Sequence, residues 1–332
     1  MTPAPLPAPR GALSEAVLTA LRDEPPAPLP AGPPPGLAPY GEDLHLTLYA
    51  CYELHYHGLT GVSDAWEWNA ELLRLRATLE DRFLAALRRD VPAGGSVDDA
   101  LAGLLVQPAD GDGVAGYLER EGRWWQMCEY LTHRSVYHLK EADPHAWVIP
   151  RLDGQAKASL VAVEFDEFGA GHGPDVHAEL FADALRGAGL DAGYLSHLDR
   201  VPAPALAVVN LMSLYGLHRS LRGCLVGHFA AAEISTAPSA RKLASALARM
   251  DADPACVRFF TEHIEADAVH EQVMRRDVLG DLLARSPGLA DDVVFGIRST
   301  SLVEEHLATH LRTSWDRGET SLRRAFQEVP AA

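Results

Sequence analysis

The stretch Phe259–Asp277, FFTEHIEADAVHEQVMRRD, decides how this chain is read, because it sets His263, Asp267 and His270 at offsets of 4 and 7. A helix advances about 100° per residue, so these three side chains return to nearly one azimuth, within an arc of roughly 60°. They form a stripe of neutral nitrogen and anionic oxygen donors, which suits a borderline metal ion. Taken alone, the segment is better read as a solvated helix face, since Glu262, Glu265, Glu271 and Arg275 lie beside it. The metal reading needs more donors from facing helices.

The surrounding sequence supplies helices. From Asp43 onward apolar residues recur at spacings of three and four, in EDLHLTLYACYELHYHGLT and in DAWEWNAELLRLRATLEDRFLAALRRDV, which has Asp64 as the expected cap. The pattern continues to SPGLADDVVFGIRSTSLVEEHLATHLRTSWD near the C-terminus, without strand alternation, hairpin turns or a fixed repeat. The fold class expected is all-α, a bundle of about seven or more helices. Residues 1–42 are proline-rich: their flanks should be extended and mobile, and ALSEAVLTALRD between them should form a short docking helix. The division expected is that tail, a helical extension over 43–124, a core over 125–320 and a tail over 321–332.

Bulk properties bound the function. The chain has 332 residues, 47% hydrophobic and 23% charged, with a formal net charge of −17. That excess of negative charge argues against a nucleic-acid partner. No basic segment precedes an apolar run at the N-terminus, and no stretch is long enough to span a bilayer, so the expected compartment is the cytoplasm and no membrane partner is expected. The four cysteines (Cys51, Cys128, Cys224, Cys256) show no C-x-x-C pair and read as buried free thiols.

Inward carboxylates betray themselves by apolar neighbours, because burying an unpaired anion is costly. Glu233 sits in LVGHFAAAEIST, on a helix that should be largely buried, and is either a metal ligand or a partner of Arg219 or Arg222. In SLVAVEFDEFGAGHGPDVH, Glu164 and Glu167 share a face while Asp166 points elsewhere; His172 lies in the glycine-rich break and His177 starts the next helix. Glu141 follows His138 by three residues, with His133 and His145 read as helix-terminal histidines that favour the dipole. His55 and His57, two apart, make a poor chelate, and His306 and His310 read as a surface helix. Tyr137, Asn210 and Arg219 are candidates to orient ligands or substrate, with packing the commoner role. Trp124, Trp125, Phe165 and Tyr215 are candidate cavity walls.

Together, HLKEADPHAWVIPRLDGQAKASLVAVEFDEFGAGHGPDVHAELF, NLMSLYGLHRSLRGCLVGHFAAAE and FFTEHIEADAVHEQV resemble the heme-oxygenase-like diiron oxidases and oxygenases, the iron-containing redox enzyme family. The resemblance implies a heme-oxygenase-like helical bundle with its diiron core over 125–320. It also implies metal ligation by Glu141, Glu167, His177, Glu233, His263, Asp267 and His270. Glu233 corresponds to the carboxylate facing both metals, and Glu167 to an extra carboxylate similar to that of N-oxygenating members; these two are the residues expected to shift during catalysis. The resemblance implies two Fe ions and O2 as co-substrate.

The function expected is a non-heme diiron oxygenase of specialised metabolism that oxidises a small amine or amino-acid-like substrate, N-oxygenation favoured. The alternatives are oxidative C–C cleavage or desaturation at the same site, or a non-catalytic iron-binding helical protein. Heme degradation is disfavoured because buried glutamates would oppose a porphyrin face; a metallohydrolase could use a similar ligand set, and retained activity with zinc alone would mark it. No nicotinamide or flavin fingerprint is present, so an external electron donor or the substrate itself must supply electrons. The resemblance leaves the oligomeric state open, a homodimer being common among such proteins.

Overall fold

Helix-forming sequence interrupted by glycine and proline makes most of the described residues helical. The computed structural model describes residues 3–105 and 113–327, and the side chains of residues 105 and 265–269 lie outside that description. In chain order the α-helices are α1 (Ala12–Ala20), α2 (Glu42–Glu53), α3 (Ala70–Asp90), α4 (Val97–Leu105), α5 (Gly113–Arg120), α6 (Trp124–His138) and α7 (Asp143–Ala146). They continue as α8 (Gly154–Glu167), α9 (His177–Gly187), α10 (Ala203–Leu217), α11 (Arg222–Arg249), α12 (Pro254–Gln272), α13 (Gly280–Arg285) and α14 (Ala290–Asp316). Strand pairing among the described residues is confined to two residue pairs, Ala4–Pro5 parallel to Leu59–Thr60. This is the all-α fold of the sequence reading. Among the described residues, no helix is long and apolar enough to cross a membrane.

The architecture follows from which helices lack a polar face. Helix α10, APALAVVNLMSLYGL, is apolar all round and buried on nearly every side, as expected of a helix that runs through a core. The long helix α11 packs against α12 and α14 along most of its length and against α5 near its end. Helix α9 lies on α12. Beyond Gln272 the helix continues through a π-helical segment, Val273–Leu279, that packs on α8. Such wide turns recur beside functional sites.

Two readings of local structure need correction. The helix expected to start at Asp64 begins at Ala70 instead, after a short 3-10 turn over Asp64–Trp66. Its cap is Asn69, whose Oδ1 accepts from the Glu71 and Leu72 amides; a short polar side chain in extended backbone satisfies the free amides of the first turn. The proline-rich flanks are laid against the bundle rather than hanging free. In the flanks Ala4 and Leu37 are buried, the Ala8 amide donates to Asp199 at 2.9 Å and the Arg10 guanidinium to Glu42 and the Leu198 carbonyl at 2.7 and 2.6 Å, while α1 between them docks through Leu13, Val17 and Leu18 as expected. All four cysteines are buried free thiols, as expected.

Close approach of α11 and α14 fixes the width of the bundle. A Cβ at Gly296 would overlap the Cys224 carbonyl, so only glycine lets the two backbones meet there. Gly296→Val is expected to lower stability by about 1–3 kcal/mol through overpacking, read as a lower midpoint in urea denaturation followed by circular dichroism. An unchanged midpoint would mean that the helices are not held this close.

Candidate metal centre

Six of the seven residues expected as ligands converge at the centre of the bundle. Glu141, Glu167, His177, Glu233, His263 and His270 are all buried. The seventh, Asp267, lies on α12 with its side chain outside the described residues. Donor atoms of Glu141, Glu167, His177 and His263 lie within 4.8 Å of one another, and those of Glu167, Glu233 and His270 form a second such set. Glu167 therefore belongs to both. The sequence reading gave the position facing both ions to Glu233, which in this geometry belongs to the second set.

Each donor is delivered by a local feature of sequence. Glu167 is the last residue of α8, where Gly169, Ala170 and Gly171 take left-handed backbone angles in succession. A Cβ at Gly169 would meet the Val176 amide, so glycine alone permits this reversal. The turn returns the chain so that His177, at the start of α9, sets Nδ1 2.8 Å from Glu167 Oε2. That contact is close but not aligned as a hydrogen bond, as for two donors turned toward a shared third point. On α12, His263 Nδ1–H donates to the Phe259 carbonyl at 2.7 Å. This bond to the preceding turn fixes the tautomer and directs Nε2 to 3.8 Å from Glu141 Oε1, the way a protein commonly orients a ligating imidazole.

Glu141 lies beyond α6 in a turn that includes Ala142 at φ 72°. The turn is held from behind by a buried cage. Lys140 Nζ donates to Glu53 Oε2 at 2.8 Å and sits 4.6 and 4.3 Å from the ring centroids of Tyr49 and Tyr56. The Tyr194 hydroxyl donates to the other Glu53 oxygen at 2.7 Å. Two cation–π contacts and a satisfied ion pair make this a strong fixture for a turn.

Sequence reasoning missed two partners and misassigned others. His138 Nδ1–H donates to Glu141 Oε1 at 2.7 Å; the spacing of three was visible, its direction was not. Asp166, which helical spacing turns away from Glu167, reaches His270 Nε2 at 3.1 Å. Glu233 meets His270 Nδ1 at 3.0 Å rather than pairing with an arginine. His133 is buried within α6 and bonds Ser321, whereas His145 does stand in the last turn of α7 but is buried there and bonds His228. Asn210 donates to the His45 carbonyl, a packing role. His55 faces Arg76 and His57 faces Tyr194, so neither joins the cluster.

The electrostatics are those of anions sharing too few cations. Burial pushes the Glu141 carboxyl up, but His138 and then His263 outweigh it and hold it well below the usual carboxylate range. Burial raises Glu233, the His270 hydrogen bond opposes the rise and Glu167 adds to it, leaving it above its ordinary value. Burial, with Glu167 and Glu233 nearby, raises Glu164 to about 9. Both its oxygens are buried without a hydrogen-bond partner among the described residues, so Glu164 stays a neutral acid. Burial disfavours the His270 cation, but carboxylates at both ring nitrogens raise it to about 9.

The donor set fits iron. Three imidazoles and three buried carboxylates give nitrogen and oxygen without sulfur, the choice of Fe(II) over structural zinc. Glu141 Oε2 is buried with no hydrogen-bond partner among the described residues, an orphan acceptor that a cation would satisfy. A cavity of about 500 Å³ reaches the cluster and is walled by Tyr137, His138, Phe229, Phe260, Leu243 and Leu311 among others. None of the aromatic walls expected from the sequence is among its lining residues: Phe165 is largely exposed, and the buried Tyr215 bonds Ser299.

A helical bundle that encloses carboxylates and histidines from facing helices has the build of the carboxylate-bridged non-heme metalloproteins. Residues 128–305 match the family model described as iron-containing redox enzyme, over half of the chain, and the chain belongs to that family. It is also similar to nitrosourea synthase of Streptomyces achromogenes subsp. streptozoticus, at 25% identity over 245 residues that cover 74% of this chain and 47% of that protein. The chain spans about half the length of that relative.

Two predictions follow from the packing and charge of the centre. Lys140→Met leaves Glu53 without its buried counter-charge and is expected to lose about 3–5 kcal/mol in urea denaturation; a loss below about 1 kcal/mol would place the pair among exposed ones. An exposed imidazole loses its proton near about 6.5, whereas His270 keeps it to about 9 in the folded metal-free protein. Its contribution to stability is therefore complete below the lower value and lost as pH rises through the higher one. Thermal melts of chelator-treated protein should fall across that window, and His270→Gln should flatten the fall.

Proposed function

We propose that the protein is a non-heme diiron oxygenase that oxidises the nitrogen of a small amine or amino-acid-like substrate. The observation that carries this reading is Glu167, common to two adjoining buried donor sets. Glu141, His177 and His263 would hold one iron, Glu233 and His270 the other, with Glu167 between them and Asp267 completing the set expected from the sequence. Bound ferrous iron would supply electrons for O2 activation. In balanced form, R–NH2 + O2 + two electrons + two protons gives R–NHOH + H2O, so an external donor must restore two electrons per turnover.

The side chains account for the remaining requirements. His270 must surrender its proton for an imidazole nitrogen to become a donor, so metal binding releases protons and tightens as pH rises. The largely apolar walls of the cavity, with the Phe259 ring against His263, keep bulk water from the reacting nitrogen. Glu164 is buried beside Glu167 and Glu233, and in the metal-free protein burial and these neighbours raise its carboxyl to about 9. N-oxygenation is favoured over C–C cleavage or desaturation because a similar protein is named for making a nitrosourea, a product that carries an oxidised nitrogen.

Anaerobic titration of the chelator-treated protein with Fe(II), followed by O2 uptake with and without added amines, tests the reading. Two irons per chain are expected, with O2 uptake stimulated by a substrate amine and product heavier by one oxygen. Glu167→Ala should reduce tight binding to one iron or fewer. One iron or none in the wild type would sink the diiron mechanism.

A further inference from the structure

The cavity that reaches the cluster carries one guanidinium in its described wall, Arg134, and a carboxylate bonded to it, Glu304. Arg134, on α6, donates through both terminal nitrogens to the two Glu304 oxygens of α14, at 2.8 and 2.7 Å. The guanidinium also lies 5.5 Å from the Tyr130 ring centroid. The pair is not sealed: its side chains keep 22% and 35% of their surface accessible, so a molecule in the cavity reaches both.

Its place along the cavity is set by helix geometry. Arg134, His138 and Glu141 are four and seven residues apart and all line the cavity. Four residues of helix at about 1.5 Å each set Arg134 one turn, roughly 6 Å, before His138 at the end of α6, with Glu141 in the turn beyond. On the opposite wall Thr300, one turn before Glu304, is tied to His228 of α11 at 2.8 Å. The ion pair and the cluster thus line one cavity, with Arg134 set back along α6 by more than a helical turn from Glu141.

The geometry points to Arg134 and Glu304 as the binding site for the head group of an α-amino acid, the carboxylate on Arg134 and the ammonium on Glu304. This rests on the oxygenase reading of the cluster and adds where the substrate is held. A zwitterion entering the pair replaces each charge by its like, so no charge is left buried without a counter-ion. A monoamine would strand Arg134 and a simple carboxylic acid would strand Glu304, so both are discriminated against. Bidentate geometry suits a guanidinium to a carboxylate. A side chain of several methylenes, built of bonds of about 1.5 Å, then extends along the cavity toward the cluster that lines it.

The test compares L-ornithine, L-lysine and L-arginine with putrescine, cadaverine and agmatine, which lack only the carboxylate. Binding to the Fe(II)-loaded protein is measured anaerobically by calorimetry. At least one amino acid is expected to bind about tenfold more tightly than its decarboxylated counterpart, the worth of one charge-assisted contact. The exchange Arg134→Glu with Glu304→Arg keeps an ion pair between α6 and α14, and so the strut, but interchanges the places of the two charges, which an L-amino acid with its side chain directed at the cluster does not match; it should abolish the preference with iron content unchanged. Arg134→Gln with Glu304→Gln, neutral and near in shape, should do the same. Equal binding of amino acid and amine, a preference that survives in both variants, or no binding of any of the six would overturn the assignment. Failure to load two irons in the wild type is a separate result, and refutes the oxygenase reading instead.

Discussion

Burying a carboxylate costs several kcal/mol unless counter-charge or hydrogen bonds come with it, and this chain buries Glu141, Glu167 and Glu233 within reach of one another. Every element around the centre answers to that constraint. The imidazoles of His138, His177, His263 and His270 face the three glutamates. They come from three separate elements, α6, α9 and α12, of a bundle that would otherwise have no reason to place polar groups there. Apolar helix α10 supplies the burial that stabilises the bundle, while α8, α9, α11 and α12 carry the donors. The cluster is thus a local loss of stability offset by the packing of the whole.

Charge balance within the cluster is unequal. Glu141 is held ionised by the histidines beside it, whereas Glu233 and Glu164 are pushed toward their neutral forms. A divalent ion added between such groups exchanges protons for metal, which couples occupancy to pH and to the stability of the fold. The doubly bonded His270 is where that exchange is concentrated, since both its nitrogens are engaged by carboxylates.

Much of this was legible in the sequence because helical periodicity is local. The all-α class follows from spacings of three and four, and the face shared by His263 and His270 follows from an offset of seven. The position of Glu233 in an uncharged run announced its burial. What periodicity does not carry is the relation between helices. That Asp166 turns toward α12, that Glu167 is common to both donor sets and that Arg134 meets Glu304 each depend on how separate helices cross. The start of α3 shows a different limit: Asp64 and Asn69 both have the chemistry of a cap, and only tertiary packing of Trp66, fully buried, selects between them.

The cage around Lys140 divides responsibility for the centre unevenly along the chain. Residues 128–305 contain the converging donors, yet the anion that neutralises Lys140 is Glu53, and two aromatic faces that enclose it are Tyr49 and Tyr56, all outside that span. A chimera that grafted residues 128–305 onto a foreign amino-terminal half would import a buried cation stripped of its counter-ion, one residue from Glu141. The unit that must be inherited together therefore extends back to α2, and exchange of modules between such proteins is constrained at a boundary well before the donors begin.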